Sequence, residues 1–269
     1  MKISKLSKSQ RQQLIVDKLK EFPAIRVSEL SRDINVSTET IRRDLDELES
    51  QGLISRTYGG ATPAMNHEPT FRQRQQMHPH QYDLIARSAS EIVKNGEVLI
   101  IGSSVTTLQL AVRLAAEKKD LCVFTDSYAI ASALSSNPSF KIHVCPGLYN
   151  DDESSVYGPE TINYLNRIYV DRTILGASGL TLEGVANADL EIGETYRTMI
   201  KRASSTMIVA DHSKISRNAI TTYATWNEIS TLVIDEAPYD EELLIGLKHG
   251  NVEVIVAGKG GFNNSLVQS

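Results

Sequence analysis

Ser37–Ala61 reads STETIRRDLDELESQGLISRTYGGA, and the order of its signals decides the fold of the first part of the chain. Ser37 is a residue type that caps helices, because its hydroxyl accepts an otherwise unpaired N–H of the first turn. Ile41, Leu45 and Leu48 recur at helical spacing and form one apolar stripe. Thr38, Glu39, Arg42, Arg43 and Asp46 fall on the other faces. Gly52 ends the helix, Ile54–Thr57 is a short β-prone run, and Tyr58-Gly59-Gly60 suits a tight turn. A helix with arginines and hydroxyls near its N-terminus, followed by a hairpin, is what a winged helix-turn-helix brings to the major groove.

The upstream residues agree. Ser9–Lys20 predicts a helix with Leu14, Ile15 and Leu19 on one side, stopped by Pro23. Val27–Ile34 predicts a second, with Val27, Leu30 and Ile34 apolar, and Asn35-Val36 is the turn before Ser37. Helix, short helix, turn, longer helix, hairpin is a winged helix-turn-helix order. Residues 1–62 are therefore read as one small domain, near the lower size limit for folding alone.

The whole chain, 269 residues with 41% hydrophobic and 23% charged residues, has room for about two globular domains. No apolar run approaches the ~20 residues of a membrane span. The start, MKISKLSKSQRQQ, carries basic residues without an apolar stretch, so no secretory signal is read there and a cytoplasmic protein is expected. Cys122 and Cys145 lie in apolar runs and are read as buried thiols. His78 and His80 lie on a polar stretch and are read as solvated, so neither a metal nor a cofactor is expected. Net charge is −5, but unevenly spread. Residues 1–64 hold 11 Lys+Arg against 9 Asp+Glu, leaving +2 there and −7 in the remainder. A mildly basic head on an acidic body suits a DNA reader with a separate sensing domain. So weak a charge neutralises few phosphates per head, which calls for at least two heads on one DNA site.

Residues 63–81 are polar and lack a sustained period, and are read as a linker. Residues 82–269 are read as the second domain. Short apolar β-rich runs (Val98–Ile101, Leu121–Thr125, Lys141–Cys145, Tyr169–Leu175, Thr206–Ala210, Thr231–Ile234 and Val252–Ala257) alternate with helical stretches. That alternation predicts an open, mostly parallel α/β sheet with strands covered on both faces. Ligands of such sheets bind where strand carboxyl ends lead into helices. The loops there are Gly102–Thr107, Thr125–Ser127, Pro146-Gly147, Gly176–Gly179 and Asp211–Lys214. The first offers small residues, hydroxyls and a helix N-terminus to an anion. Lys214, the one fixed cation in these loops, is assigned to an anionic ligand group.

Arg11, Val27–Leu30, Val36-Ser37, Thr40–Leu45, Leu48-Glu49, Gly52-Leu53 and Gly59–Ala61 resemble the head of the DeoR-type bacterial transcriptional regulators. Glu68-Pro69, Phe71 and Arg72–Arg74 resemble that family's following segment. The likeness continues more loosely over residues 82–257, through Thr125-Asp126-Ser127 for the family's Thr-Asn-Ser, Asp171–Gly179, and Asp211–Lys214 for its Asp-x-Ser-Lys. It implies a sugar-phosphate sensor related in fold to ribose-5-phosphate isomerase, and a repressor of a sugar or polyol catabolic operon acting as a homodimer or homotetramer. Tyr58 stands where the family has His. Gly102, Ser104 and Val105 replace Asp, Gly and Thr of its first loop, and Ile192–Arg197 keeps only Arg197 of its usual carboxylate, lysine and arginine.

Double-stranded operator DNA is accordingly expected to meet Arg11, Ser28, Ser37, Thr38, Glu39, Thr40, Arg42, Arg43, Arg56, Tyr58 and Gly59. Arg42 and Arg43 are candidates for bidentate contacts to guanine. A small phosphorylated sugar or polyol, or a related anion, is expected at Gly102, Ser103, Ser104, Thr106, Thr107, Asp126, Ser127, Gly147, Gly176, Ser178, Arg197 and Lys214. Two alternatives stand beside this reading: a sugar-phosphate isomerase or deaminase, which needs a poised carboxylate and lysine, and a DNA-binding protein without a ligand.

Overall fold

Apolar periodicity in the head becomes a closed core. Ile15, Leu19, Val27, Leu30, Ile34, Ile41, Leu45, Leu48 and Ile54 are all buried together. They come from helices Lys8–Glu21, Val27–Ile34 and Thr38–Ser50 and from the wing. Leu14, expected on the buried side of the first helix, is 37% exposed; Ile15 and Leu19 are buried there, with Val16 packed against the same core. Asn35 takes the left-handed conformation (φ 56°) that closes the second helix and turns the chain into the third. The wing is a hairpin of Ile54–Thr57 and Gly60–Pro63, with Ile25–Arg26 added on the outer side of the second strand. Gly59 sits at its tip with φ +92°, a conformation that suits glycine.

The computed structural model describes residues 7–21, 25–50, 53–57, 59–63 and 68–258, with side chains at all of these but 20, 21, 50, 55, 62 and 63. The chain divides into two compact units between Pro69 and Thr70. Residues 70–81, read from sequence as linker, belong to the second unit. Thr70 caps a short helix, Phe71–Arg74, and the next helix, Pro79–Ile92, starts on a proline. Phe71 and Tyr82 bury their rings against Val105, which is the physical reason the polar stretch is ordered.

The second unit is built on a seven-stranded parallel sheet, flanked by helices and two smaller antiparallel sheets. In spatial order its strands are Glu253–Val256, Thr231–Ile234, Ala203–Ala210, Val170–Leu175, Val98–Ile101, Cys122–Thr125 and Lys141–Val144. Strand order reverses between Val98–Ile101 and Val170–Leu175, a switch point from which successive strands run outward in both directions. One core cluster lies around Leu99, Ile101, Ile174, Val209 and Val233, and another around Ile100, Leu175, Ile208 and Leu232, as two-sided burial requires. The edge strand Lys141–Val144 departs from that pattern. Three of its four residues are exposed, because an edge has one neighbour and no helix covers it fully. Cys122 is likewise only half-buried. The antiparallel pieces, Leu148–Asn150 with Ser155–Tyr157, and Gly179–Thr181, Gly184–Asn187 and Thr221–Ala224, carry too little alternation to be read from sequence.

Candidate DNA-reading and ligand-sensing sites

On the third helix of the head, burial of Ile41, Leu45 and Leu48 turns Thr38, Glu39, Arg42 and Arg43 to solvent. Ser37 caps the helix: its Oγ accepts the Thr40 N–H (3.2 Å) and meets Thr40 Oγ1 (2.9 Å). Arg43 is 79% exposed, with Glu39 3.6 Å away; Arg42 lies 3.9 Å from the same carboxylate. Exposed pairs of this kind are worth little and release their arginines readily. Ser28 is exposed at the start of the second helix, and Gly59 is exposed at the wing tip, where its carbonyl accepts the Val27 N–H (2.9 Å). Tyr58 lies outside the described residues.

Two arginines expected at DNA are engaged within the head. Arg11 forms a bidentate pair with buried Asp44, tying the first helix to the third. Arg56 holds Asp46 (2.5 Å) and the Arg42 carbonyl (3.3 Å), fastening the wing to the third helix. Both carry internal electrostatic work, so the exposed cations of the reading face are Arg42 and Arg43.

In the second unit the sheet order brings four loops side by side at the strand carboxyl ends: Asp126, then Gly102–Thr107, then Gly176–Ser178, then Asp211–Lys214. Ser104 caps helix Val105–Glu117 through the Thr107 N–H (3.0 Å), and Thr107 Oγ1 donates to the Gly102 carbonyl (2.6 Å). Thr106 is buried in the same first turn. The Ser103 N–H donates to Asp126 Oδ1 (2.8 Å), and Tyr196 donates its hydroxyl to the Ser103 carbonyl. Ser127 caps helix Tyr128–Leu134 and donates Oγ to the Ser154 carbonyl (3.3 Å). Gly176 is required by contact: a Cβ there would lie 2.5 Å from the Ser104 Cβ. Its carbonyl accepts the Tyr223 hydroxyl (2.5 Å), and Tyr223 meets Tyr196 edge to face with centroids 5.4 Å apart. Ser178 is buried, its N–H bound to the Ala186 carbonyl.

Asp126 is the unusual group of this cluster. It is fully buried, one oxygen accepts Ser103, and Oδ2 has no hydrogen-bond partner. Desolvation pushes its pKa up to about 7, against the opposing pull of backbone N–H groups. A neutral carboxylic acid there can donate a hydrogen bond, which a carboxylate cannot. The same burial pushes the Tyr196 and Tyr223 hydroxyls well above the usual tyrosine range, so both remain donors.

Two further candidates make contacts of their own, and a third is buried in a turn. The Arg197 guanidinium donates to the Thr222 carbonyl (2.7 Å) of the antiparallel sheet and faces Glu194 at 3.7 Å. Gly147 packs against Thr161 and Tyr157 beside the outermost strand. Lys214 is buried in the turn His212–Lys214, whose start Asp211 caps through the Ser213 N–H (3.0 Å). Beside it, His212 binds buried Asp235 twice, through Nδ1 (2.6 Å) and its backbone N–H (2.7 Å), so both carboxylate oxygens are occupied. An open depression of about 360 Å³, lined by Ser204–Thr206 and Asn227–Ser230, lies at the amino end of strand Ala203–Ala210, opposite these loops. Arg74, a buried cation of the second unit, appears in the sequence reading only within the family-like segment Arg72–Arg74 of the stretch taken as linker, and not as a site residue. Thr70 followed by Gln73, a capping-box spacing, announces the helix that carries it.

A winged helix-turn-helix with an arginine-bearing exposed face, carried by an α/β unit whose hydroxyl-rich loops converge at a switch point, defines a DNA-binding regulator with a sensor domain. The chain belongs to the DeoR family. Residues 11–66 match the DeoR-like helix-turn-helix domain and residues 77–236 the DeoR C terminal sensor domain. The HTH-type transcriptional repressor GlcR of Bacillus subtilis (strain 168) is 31% identical over 244 residues, covering 90% of this chain and 93% of that protein. The glycerol-3-phosphate regulon repressor of Escherichia coli (strain K12) is 28% identical over 235 residues, covering 87% and 93%. Among solved structures, ribose 5-phosphate isomerase A from Methanocaldococcus jannaschii aligns with a TM-score of 0.38 and 14% identity, over 51% of this chain and 55% of that one. No helix of the described residues is long and apolar enough to cross a membrane.

Proposed function

We propose that this chain is a repressor of a carbohydrate-catabolic operon, and that a small phosphorylated sugar or polyol sets how much of it is bound to DNA. The exposed row Thr38, Glu39, Arg42 and Arg43 on a capped helix carries the reading. The helix enters the major groove, Arg42 and Arg43 contact base edges, and the wing lies along the backbone. With a head charge of only +2, two or more heads act on one operator, as an oligomer. The ligand occupies the loops Gly102–Thr107, Asp126-Ser127 and Gly176–Ser178 at the switch point. It acts by binding better to one arrangement of the linked heads than to another. The second unit is read as a sensor rather than a catalyst: where the family's first loop carries a carboxylate this chain has Gly102, and a DNA-reading head has no use in catalysis.

The test is a gel shift of the full chain on the DNA upstream of its own gene, with and without glycerol 3-phosphate and a hexose 6-phosphate. Sequence-specific retardation by the wild type, its weakening by about tenfold or more in Arg43→Ala, and a change on adding one phosphate ester are expected. Equal retardation by wild type and Arg43→Ala would overturn the assignment of the reading face.

A further inference from the structure

A positive group beside the loop hydroxyls strengthens the hold on an anionic ligand. Arg74 stands beside the same loops. It closes the short helix Phe71–Arg74, is 8% exposed, and grips the Glu153 carboxylate through two N–H groups at 2.9 and 2.5 Å. The turn that carries Glu153 is held from two sides. On one, the Phe71 N–H donates to the Asp152 carbonyl (2.7 Å) and Arg74 holds the Glu153 side chain. On the other, Ser103 Oγ donates to the Glu153 carbonyl (3.0 Å) and Ser127 Oγ to the Ser154 carbonyl (3.3 Å). Arg74 and Glu153 both lie close enough to act electrostatically on the Tyr196 hydroxyl, which donates to the Ser103 carbonyl. The serine hydroxyls of the candidate site and the Arg74–Glu153 pair therefore share one short turn.

A guanidinium presents a planar fork that fits a carboxylate and a phosphate alike. A phosphate drawn to Ser103 and Ser127 competes with Glu153 for that fork and repels its charge. We infer that Arg74 is an effector-binding residue held in reserve by Glu153, and that the ligand's anionic group displaces the Glu153 carboxylate from it. This rests on the sensor reading above. The exchange also acts on regulation. Arg74 and Phe71 fasten the start of the second unit to the 152–154 turn, and Thr70 follows the head unit directly in the chain. Moving Arg74 from Glu153 to a ligand loosens that fastening at the residues that connect to the head.

The experiment is calorimetric binding to the full-length wild type, Arg74→Lys and Glu153→Gln. The probes are inorganic phosphate, glycerol 3-phosphate, a hexose 6-phosphate, glycerol and the free hexose. Trp226 fluorescence, from the second unit, checks that each variant is folded. A phosphate ester that binds the wild type is expected to bind Arg74→Lys about tenfold or more weakly, because a point charge replaces a bidentate fork. Glu153→Gln, which removes the competing charge, should bind it several-fold more tightly, and the free polyol and hexose should not discriminate. In hydrogen exchange, the Phe71 amide should open faster when the probe is bound. A probe whose affinity for both variants stays within about twofold of wild type overturns the role of Arg74 and leaves the sensor reading standing. Should Arg74→Lys fail to fold, Glu153→Gln alone decides, and an unchanged affinity there overturns the proposal. Failure of every phosphorylated probe to bind either wild type or Glu153→Gln overturns the phosphate-sensor reading together with it.

Discussion

Replacing Asp126 with Asn should change how the second unit's stability responds to pH. Asp126 is fully buried and its pKa is pushed from 3.8 to about 7, chiefly by desolvation. The folded value lies above the unfolded one, so the folded state holds its proton more tightly. The stability this group contributes is greatest below pH 3.8 and is lost as pH rises towards and through 7. The shift of about three units corresponds to roughly 4 kcal/mol in all, of which roughly 2–3 kcal/mol falls between pH 5 and 8.5. Asn keeps an oxygen to accept the Ser103 N–H but cannot ionise. Urea unfolding followed by Trp226 fluorescence measures this directly. Trp226 is the single tryptophan of the chain, is 3% exposed, and lies in the second unit. The wild type should lose roughly 2–3 kcal/mol more than Asp126→Asn between pH 5 and 8.5. Taking the difference between the two proteins cancels every other titrating group and any fixed penalty of the new amide N–H. Stability curves that stay parallel within about 0.5 kcal/mol across that range would refute the argument that Asp126 is buried without a compensating charge.

Other perturbations separate structural from contact roles. Arg11→Ala should destabilise the head by about 3 kcal/mol, because it strands the Asp44 carboxylate, 3% exposed, without its guanidinium; circular dichroism during urea unfolding reads this, and unchanged stability would return Arg11 to the list of DNA contacts. Gly176→Ala puts a methyl group 2.5 Å from the Ser104 Cβ, so it should cost about 1–3 kcal/mol by overpacking and weaken any ligand bound at those loops. The pKa of His212 is raised, first by its hydrogen bond to Asp235, so the stability it contributes is fully present below the unfolded value of about 6.5 and is lost as pH rises through the raised folded value. The stability gap between wild type and His212→Gln should accordingly be larger at about pH 6 than at about pH 8.5. Arg43→Ala should weaken operator binding by about 10-fold or more, the loss of one bidentate base contact, with no change in unfolding.

The reading face of the head was legible without a structure, because helical periodicity is local. Once Ile41, Leu45 and Leu48 are assigned to the core, the exposure of Thr38, Glu39, Arg42 and Arg43 follows from the 3.6-residue turn. The same logic located the central strands: a run such as Val98–Ile101 or Thr231–Ile234 is apolar throughout because both faces are covered. It also located the edge strand Lys141–Val144 but not that strand's exposure, and it missed the helices at residues 70–81, because burial there depends on which neighbour arrives.

Sequence alone determined a winged helix-turn-helix ahead of a parallel α/β sheet and the loops at which to look. Tertiary structure decided which residues meet. Arg11 and Arg56 carry the right charge for DNA, but their partners Asp44 and Asp46 lie 33 and 10 residues away. Arg74 finds Glu153 across 79 residues, and Ser103 finds Asp126 across 23. No local pattern encodes such pairings. In the second unit they follow from the reversal of strand order that sets the Gly102 loop between Asp126 and Gly176, and from the packing of Phe71 and Tyr82 that carries Arg74 to the same loops; in the head they follow from the packing of the first helix and the wing against the third helix. Periodicity reports which face of an element is buried; only the assembled sheet determines what that face is buried against.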